Sequence, residues 1–304
     1  MRILITGASG YIGSELVPEL LNFGHEIDAV DLSSGNSAVV KNNFPDRYNF
    51  LQWDVLSTAK PPFDLSKYDA ILPLAAVVGR IQAAEDPEYA ERLNHLYIED
   101  LVSKLSSDQV LIYPQTNMGL VNSNVDLAEE FDDGAELKIS SIYTLTKCKG
   151  EEIATEHPSG ISIRLASVYG LSSAMKDHLL LNFLIKTAVT EGTVDLFQPN
   201  FSRNFIHLQD LAKIINTILL NPNEAFGKRI NIFDERLNLT KIEVLKLLQK
   251  YIDFSINLID GSDPDMRNYV IKSQFLSSIN FKCESEISQN ILEIAEYYRN
   301  LPSV

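Results

Sequence analysis

The sequence predicts an α/β protein built on a doubly wound parallel sheet, with a smaller α/β domain toward the C-terminus. Two observations predict this fold class. Between positions 2 and 165, short apolar runs typical of buried strands alternate with helical patterns, which is the order of a parallel sheet covered by helices on both faces. The first strand also leads into a helix through three regularly spaced glycines. This turn is typical of a Rossmann-type sheet.

The first half of the chain supplies the strands of this sheet. Apolar and β-branched runs predict strands at 2–6, 26–31, 48–53, 69–74, 109–113 and 161–165. Helical spacing of apolar residues predicts a first helix after the glycines and further helices at 85–105 and 141–156. The polar, acidic stretch 121–139 has no clear period and predicts an irregular surface loop.

The second half does not continue the regular alternation of strands and helices. Helices are predicted at 177–191, 208–220, 240–251 and 288–298, with a short strand at 193–197. Thr240 and Glu243 have the spacing of a capping box. The apolar run 229–233 is predicted to return to the first sheet. We therefore divide the chain into a Rossmann domain at 1–170, to which 205–235 returns, and a second domain at 171–304.

Composition and charge limit the classes of protein to consider. The 304 residues are 45% hydrophobic, with no run of 18 apolar residues and no basic-apolar leader, so we expect neither a membrane span nor a signal segment. The net charge of −15 disfavours nucleic acid and anionic membranes as partners. Two cysteines and five dispersed histidines predict no disulfide framework and no zinc site. We expect a soluble, cytoplasmic protein.

The glycine turn at the start of the chain predicts a dinucleotide site. Gly7, Gly10 and Gly13 follow the first strand at three-residue spacing and open the first helix. The N-terminus of a helix carries about half a positive charge, and glycines let the backbone N–H groups approach a pyrophosphate closely. An ordinary strand–turn–helix is the alternative, but the strand-to-helix context favours the dinucleotide.

Acidic residues end the second and third predicted strands. Asp31 stands eighteen residues after Gly13, where a carboxylate accepts hydrogen bonds from both hydroxyls of an adenosine ribose. It would repel a 2′-phosphate, so the sequence favours NAD over NADP. Asp54 follows the third strand and could reach the adenine amino group. Either aspartate could instead be a turn residue at a strand end.

Three residues have the types and positions of a proton-transfer site. Tyr143 and Lys147 are four apart on a predicted helix, which puts both side chains on one face. There the lysine could lower the pKa of the phenol from about 10 toward neutrality, giving a general base. Thr116 lies just past the fifth strand, at the edge where open α/β sheets bind ligands. Its hydroxyl could hydrogen-bond a substrate oxygen.

Two arginines in the second half are candidates for an anionic ligand. Arg203 and Arg267 could each pair with a phosphate, and each could equally form a surface ion pair. Cys148 directly follows the candidate lysine and is expected to face elsewhere on the helix as a packing residue. His207 is expected to be structural rather than catalytic.

Taken together, these motifs resemble the extended short-chain dehydrogenase/reductase family, and within it the NAD-dependent nucleotide-sugar epimerases and dehydratases of the UDP-glucose 4-epimerase type. The resemblance runs over nearly the whole chain. The matching segments are 6–13, 30–35, 54–55, 74–76, Asn94, 143–147, 164–170 and 203–212.

The resemblance implies a bound NAD, a nucleoside-diphosphate sugar as substrate and three catalytic residues. Tyr143 would take a proton from a sugar hydroxyl while hydride passes to the nicotinamide. Lys147 would hold the nicotinamide ribose, and Thr116 would bind the oxygen that becomes a ketone. The expected cofactor contacts are Gly7, Gly10, Tyr11, Ile12, Gly13, Asp31, Asp54, Val55, Leu74, Ala75, Ala76, Tyr143 and Lys147. The expected substrate contacts are Thr116, Asn182, Arg203 and Arg267.

The loop after the fifth strand separates two reactions within the family. Dehydratases typically carry an Asp-Glu pair directly after the hydroxyl residue, whereas this chain has Asn117 and Met118. The resemblance therefore favours an epimerase, acting at C4 of the sugar through a 4-keto intermediate, over a dehydratase. A sugar-nucleotide reductase or dehydrogenase using the same three residues is an alternative, as is a non-catalytic NAD-binding protein. Relatives commonly dimerise through helices corresponding to 85–105 and 141–156, which implies a homodimer.

Overall fold

The computed structural model describes residues 1–120, 128–261 and 267–301 of the 304-residue chain. The strands, in chain order, are β1 (Arg2–Thr6), β2 (Glu26–Asp31), β3 (Tyr48–Gln52), β4 (Ala70–Pro73), β5 (Val110–Thr116), β6 (Glu129–Phe131), β7 (Gly160–Leu165), β8 (Ser167–Tyr169), β9 (Thr193–Leu196), β10 (Ser202–Arg203), β11 (Phe205–His207), β12 (Arg229–Ile232), β13 (Leu239–Thr240), β14 (Ser255–Leu258) and β15 (Tyr269–Ile271). The helices are α1 (Gly13–Asn22), α2 (Ser37–Asn43), α3 (Arg80–Glu85), α4 (Pro87–Glu91), α5 (Tyr97–Ser103), α6 (Ile142–Glu156), α7 (Leu180–Glu191), α8 (Leu208–Leu220), α9 (Lys241–Leu248), α10 (Gln274–Ser278) and α11 (Ile287–Asn300). None of the helices in these ranges is long and apolar enough to cross a membrane.

Seven parallel strands form the central sheet, in the order β12-β7-β5-β4-β1-β2-β3. The direction of winding reverses between β1 and β4, because β2 and β3 lie on one side of this pair and β5, β7 and β12 on the other. The carboxyl ends of strands at such a reversal open a crevice, which is where open α/β sheets bind ligands. The predicted α/β class with a doubly wound sheet is confirmed.

Helices cover both faces of the sheet. On one face, α1 and α8 pack against the strands through buried residues such as Leu20 and Ile215. A hydrogen bond of 2.9 Å between His25 Nε2 and Asn216 Oδ1 joins the end of α1 to α8. On the other face, α5 and α6 pack against the strands in a second apolar cluster. The sheet is therefore buried on both sides, as parallel sheets require.

Continuous helical backbone runs over 87–103, as predicted for 85–105, but the predicted start is wrong because the chain breaks at Asp86. This residue has φ −138° and ψ 83°, and its side chain accepts a hydrogen bond from the N–H of Tyr89 at the start of α4. Pro87 explains the break, since proline disfavours helical backbone at the residue before it and suits the first turn of a helix. A π-helical turn at Arg92–Leu96 then connects α4 to α5.

The predicted surface loop at 121–139 is also partly wrong. Residues 121–127 lie outside the described ranges, but Glu129–Phe131 form β6, which pairs in parallel with β15 from the far end of the chain. Asp133 reinforces this contact by accepting hydrogen bonds from the N–H of Asn231 and the hydroxyl of Ser273. A charged three-residue strand of this kind carries no periodic signal, so its pairing depends on tertiary contacts.

The second half packs around its own apolar cluster, formed mainly by α7, α9 and α11. The predicted return of 229–233 to the first sheet is observed, since β12 pairs with β7. The predicted capping box is confirmed at α9, where the side chains of Thr240 and Glu243 each accept a hydrogen bond from the other's backbone N–H.

A buried ion pair joins α6 to β7. Arg164 donates from Nε and Nη2 to the two carboxylate oxygens of Glu151, at 2.8 Å each, and both side chains are at most 5% exposed. The hydroxyl of Ser162 donates to the same carboxylate at 2.6 Å, and Arg164 Nη1 donates to the carbonyl of Ala135. The charges are thus paired and hydrogen-bonded, as charges in a protein interior must be.

Candidate active site

The glycine turn has the geometry of a phosphate cradle. Gly7 has φ +70°, and a Cβ placed on it would lie 2.5 Å from the backbone N of Ala75 at the end of the neighbouring strand. Gly10 N–H donates to the carbonyl of Gly7, and Gly13 begins α1, whose N-terminus has no side-chain cap. Close backbone approach and an uncapped helix N-terminus are what a pyrophosphate needs, so these residues fit NAD.

Asp31 holds the cradle to the loop after β2. Its half-buried carboxylate accepts hydrogen bonds from the N–H of Ser9 at 2.9 Å and of Ser33 at 3.1 Å. Asp31 therefore lies beside the glycine turn, where the sequence predicts the ribose-binding acid. Asp54 is exposed, and its Oδ1 accepts a hydrogen bond from the N–H of Leu56, which is the turn geometry considered as the alternative.

The remaining predicted cofactor residues lie at the carboxyl edge of the sheet. Ile12 is half-buried at the start of α1, and Leu74, Ala75 and Ala76 are half-buried just after β4. Val55 is also half-buried and lines a cavity of about 530 Å³ between the loop after β3 and α5. Tyr143, Lys147 and Thr116 do not line that cavity, so it lies apart from the catalytic group.

A strap at residues 170–173 crosses the first turn of α1. Tyr11 Oη donates to the carbonyl of Gly170 at 2.8 Å. The hydroxyl of Ser172 donates to the carbonyl of Tyr11 and lies 2.8 Å from the hydroxyl of Ser14. Ser173 N–H donates to Glu15 Oε1 at 3.1 Å. The strap leads from β8 toward α7, so these contacts join the two halves of the chain at the cofactor cradle.

Asn182 supports this strap from the first turn of α7. Its side chain is fully buried, and Nδ2 donates to Tyr11 Oη at 3.0 Å and to the carbonyl of Lys176 at 3.2 Å. The amide is therefore occupied by the protein. The structure does not bring Asn182 into the catalytic group, and we leave it out of the proposed substrate contacts.

The hydroxyls of Thr116 and Tyr143 meet at the carboxyl end of β5. Ser141 starts α6 with a capping box to Thr144, which fixes Tyr143 in the first turn. The buried phenol is hydrogen-bonded to Thr116, whose Oγ1 also accepts from the N–H of Met118. Burial raises the pKa of Tyr143 to about 12, although the hydrogen bond to Thr116 and the charge of Arg267 lower it.

Lys147 lies one turn further along α6 and is also buried. Its Nζ lies 4.0 Å from the centre of the Tyr113 ring. Burial lowers the pKa of Lys147 to about 7. The expectation that this lysine lowers the pKa of Tyr143 toward neutrality stays a prediction, because burial raises that pKa in the protein without ligands. Burial dominates at the phenol, and the lysine itself holds its charge only weakly.

Asn94, in the π-helical turn, ties the catalytic helix to the loop after β4. Its Oδ1 accepts from the N–H of Val77 at 2.8 Å, and its Nδ2 donates to the carbonyl of the same residue at 2.9 Å. Nδ2 also lies 3.2 Å from the hydroxyl of Thr146, next to Lys147. A fully buried asparagine thus connects the cofactor edge of the sheet to α6.

The two predicted arginines come together on the other side of the crevice. Arg203 is buried, and its Nη1 donates to the carbonyls of Ser202 and Arg267. Arg267 is half-buried, and its charge acts on Tyr143. The two arginine-bearing segments thus lie next to each other, and the charge of Arg267 reaches the phenol of Tyr143.

The residues that replace the dehydratase acids have structural contacts. Asn117 is buried, and its Nδ2 donates to Asn204 Oδ1 at 2.6 Å. Tyr269 Oη donates to the carbonyl of Asn117 at 3.0 Å. Met118 packs in the small apolar cluster that contains Tyr143. Neither side chain carries a group that can exchange a proton.

The remaining residues singled out in the sequence have structural positions. His207 is buried, caps the N-terminus of α8 and packs edge-on against Tyr169, and burial lowers its pKa to about 4. It is therefore neutral at physiological pH, as a structural histidine would be. Cys148 is half-buried, and burial raises its thiol pKa to about 11.

In the described ranges, one cluster has the residue types of a metal site. Ligand atoms of Asp210, Asp234 and Cys283 lie within 4.8 Å of one another. The two carboxylates already have partners: Asp210 accepts from the N–H and hydroxyl of Ser285, and Asp234 pairs with Arg236. This arrangement is a hydrogen-bonded joint between α8 and the segment before α11.

Sequence reasoning did not identify Tyr113 and Gln115 as neighbours of the catalytic helix. Tyr113 lies beneath the Lys147 ammonium, and Gln115 Nε2 donates to the carbonyl of Lys147 at 2.9 Å. The two residues are two apart on β5, so both side chains point to the face covered by α6. The period of a strand is the signal that would have found them.

A hydroxyl pair and a lysine at the carboxyl edge of a dinucleotide-binding sheet place the chain in the class of Rossmann-fold oxidoreductases. The family model described as the NAD dependent epimerase/dehydratase family matches residues 3–232. This match covers most of the chain, and the chain belongs to that family. Members of the family depend on NAD, and the glycine turn and Asp31 fit this cofactor.

Individual relatives include both epimerases and dehydratases. The chain is 27% identical over 266 residues to an uncharacterized UDP-glucose epimerase, YtcB, of Bacillus subtilis (strain 168), and the alignment covers 80% of each chain. It is similar to the solved structure of UDP-glucuronic acid 4-epimerase from Bacillus cereus in complex with NAD, with a TM-score of 0.78, 17% identity and coverage of 99% of this chain and 97% of that one. For dTDP-glucose 4,6-dehydratase from Bacillus anthracis str. Ames in complex with NAD, the TM-score is 0.74 at 19% identity, with 98% and 96% covered. At these identities the solved structures show the shared fold alone.

Proposed function

We propose that the chain is an NAD-dependent nucleotide-sugar epimerase that acts at C4 of a nucleoside-diphosphate hexose through a 4-keto intermediate. The observation that carries the proposal is the hydrogen-bonded pair of Thr116 and Tyr143 beside Lys147, with no proton-exchanging side chain at positions 117 and 118. The similarity to YtcB, which is named a UDP-glucose epimerase, supports the same reading.

In the proposed reaction, Tyr143 Oη takes the proton of the sugar 4-hydroxyl, and Thr116 holds the same oxygen as it becomes a ketone. NAD supplies the hydride acceptor and donor. Burial keeps Tyr143 protonated at neutral pH, so its pKa must be lowered by the positive charges of Lys147 and Arg267 as the proton leaves. Lys147 also holds the nicotinamide ribose. The ketosugar then rotates in the site, so that the hydride returns to the opposite face of C4 and the proton returns to the oxygen. This inverts C4 and leaves the cofactor unchanged.

The substrate's diphosphate is proposed to bind at the arginine side of the crevice. Arg267 acts on Tyr143 through its charge, so an anion bound to it would lie close to the reacting hydroxyl. Arg203 supports this segment by donating to the carbonyl of Arg267. In a chain of net charge −15, paired arginines of this kind provide the local positive charge that a nucleoside diphosphate requires.

A sugar-nucleotide reductase or dehydrogenase is the second candidate, because it would use the same three residues. The two functions differ in the fate of the cofactor: an epimerase regenerates NAD within each turnover, whereas a reductase consumes NADH in proportion to product. A dehydratase is disfavoured, because β-elimination needs an acid and a base where the chain has Asn117 and Met118.

A panel of nucleotide sugars, incubated with the purified protein and separated by anion-exchange chromatography, tests the proposed function. We expect a C4 epimer of one sugar to accumulate with no loss of added NADH, which is followed by its absorbance. Stoichiometric loss of NADH would identify a reductase instead. A product lacking one water would identify a dehydratase, and no product from any sugar would count against catalysis.

We further propose a cytoplasmic homodimer made of an NAD-binding part, 1–170 with 205–235, and a sugar-binding part, 171–304. The two cysteines are both unpaired thiols, as in a reducing compartment. The helices expected to form the dimer expose apolar side chains: Tyr89 on α4, Leu96 before α5 and Ile142 on α6. Exposed apolar side chains on adjacent helices are typical of an interface between subunits.

Light scattering of a matched pair of variants tests the dimer. We expect the wild type to have twice the mass of one chain and Leu96→Asp to have the monomer mass, because a buried carboxylate disfavours the interface. Leu220→Asp is the control, since Leu220 is 64% exposed on α8 whereas Leu96 is 44% exposed on the proposed interface. A wild-type monomer, or dissociation of both variants alike, would contradict the proposed interface.

A further inference from the structure

In the part of the chain that the structure describes, Lys147 is buried and no carboxylate forms an ion pair with its Nζ. The charge of Glu151 acts on Lys147 from a distance and raises its pKa. Glu151, one turn further along α6, is occupied by Arg164 and Ser162. A charged ammonium in a dry interior needs some compensation, because the interior disfavours the charged form.

The compensation comes from β5. Nζ of Lys147 lies 4.0 Å from the centre of the Tyr113 ring, which is fully buried beneath it. The face of an aromatic ring is electron-rich and attracts a cation at this distance, and the attraction is strongest where water is excluded. Both conditions are met here.

The same tyrosine also contacts the backbone of the catalytic helix. Its Oη donates to the carbonyl of Lys147 at 3.2 Å and lies 3.4 Å from the carbonyl of Asn94. Gly150 makes room for this contact, since a Cβ on that residue would lie 2.5 Å from Tyr113 Oη. The ring is therefore fixed at one end by the helix that carries the lysine.

We propose that Tyr113 is a positioning residue that keeps Lys147 charged and directed toward the crevice, with its ring face in place of an acidic partner. The role of the Lys147 charge in catalysis rests on the proposed function. The position of the Tyr113 ring is independent of that function, since it follows from the packing of β5 against α6.

Other charged and titratable groups lie on α6 and on the elements around it. Those on its own helix are Tyr143, Cys148, Lys149 and Glu151. The groups on neighbouring elements are Arg164 on β7, Arg229 on β12, Glu91 and His95 before α5, and Arg267 before β15. Glu91 pairs with His95 and Lys149, and the carboxylate of Glu151 pairs with Arg164. Glu151 and Cys148 raise the pKa of Lys147 through their charges, but neither contacts Nζ, so the ring is the group that lies against the ammonium.

Titration of the lysine by NMR tests the proposal on the protein as purified, without substrate. Protein carrying 13C-labelled lysine is titrated, and the Lys147 signal is assigned by its loss in Lys147→Arg. We expect Tyr113→Leu to lower the pKa of Lys147 by about one unit, because the ring face is lost. Tyr113→Phe keeps the face and should leave that pKa close to its wild-type value. Lys149, whose partner is Glu91, should titrate unchanged in both variants.

A fluorinated phenylalanine series at position 113 keeps the test valid if Tyr113→Leu does not fold. Each ring fluorine withdraws electron density from the face while nearly preserving its shape, so the pKa of Lys147 should fall stepwise along the series. An unchanged pKa along the series would overturn the proposal. The wild type failing to epimerise any sugar would instead overturn the proposed function and leave this measurement unaffected.

Discussion

Tyr143→Phe is expected to lower kcat about 10³-fold, because it removes the only atom of this side chain that can exchange a proton. The phenol is buried and hydrogen-bonded to Thr116, so the substitution deletes one hydroxyl and leaves the packing of α6 intact. NAD affinity should change little, and KM should change less than kcat. The measurement is steady-state epimerisation, with bound NAD determined separately.

Tyr48→Phe is the matched control for that experiment. Tyr48 is as buried as Tyr143, and burial likewise raises its pKa to about 12, but it lies on β3 away from the catalytic group. It should retain full activity. If Tyr143→Phe also retained activity, another group would have to accept the sugar proton and the proposed mechanism would fail.

Arg164→Met is expected to lower the free energy of unfolding by about 3–5 kcal/mol, since it leaves the Glu151 carboxylate charged and without its bidentate partner in the interior. Ser162 keeps its hydrogen bond to that carboxylate, and Arg229 Nε at 3.6 Å provides a partial substitute. The expected loss is therefore toward the lower end of that range. Chemical denaturation followed by circular dichroism measures it.

Two further variants separate charge burial from loss of packing. Lys104→Met breaks an ion pair of similar length, 2.6 Å to Asp100, whose side chains are 55% and 61% exposed, and should cost less than about 1 kcal/mol. Adding Glu151→Met to Arg164→Met should restore part of the stability, because no unpaired charge then remains. If the double variant were less stable than Arg164→Met alone, the loss would come from packing rather than from the buried charge.

The sheet could be predicted from the sequence because its signals are local. Each strand is a short apolar run, and the glycine turn fixes where the first strand meets the first helix. Pro87 could also have predicted that a helix begins there and that Asp86 is non-helical. The apolar period continues across this position, so the predicted helix began too early. β6 could not be predicted, because Glu129–Phe131 has no strand pattern and is held by β15, more than a hundred residues away.

The proximity of the proposed catalytic residues could be predicted for a similar reason. Tyr143 and Lys147 are one helical turn apart, and Thr116 ends a predicted strand, so their meeting follows from the fold class. Their ionisation could not, since it depends on how deeply each is buried and on a ring contributed by another strand. Tyr113, whose ring lies against Lys147, is 34 residues earlier in the chain and carries no catalytic signature.

The strap at 170–173 has a thermodynamic consequence for the whole chain. It is held by the side chains or carbonyls of Tyr11, Ser14 and Glu15, which belong to the same turn that cradles the cofactor's phosphates. Binding of NAD and docking of the second half of the chain would share this turn, so the two events would be thermodynamically linked. Such linkage is reciprocal. In the proposed arrangement, any free energy by which NAD orders this turn would also favour docking of the proposed sugar-binding half. A docked second half would strengthen NAD binding by the same amount.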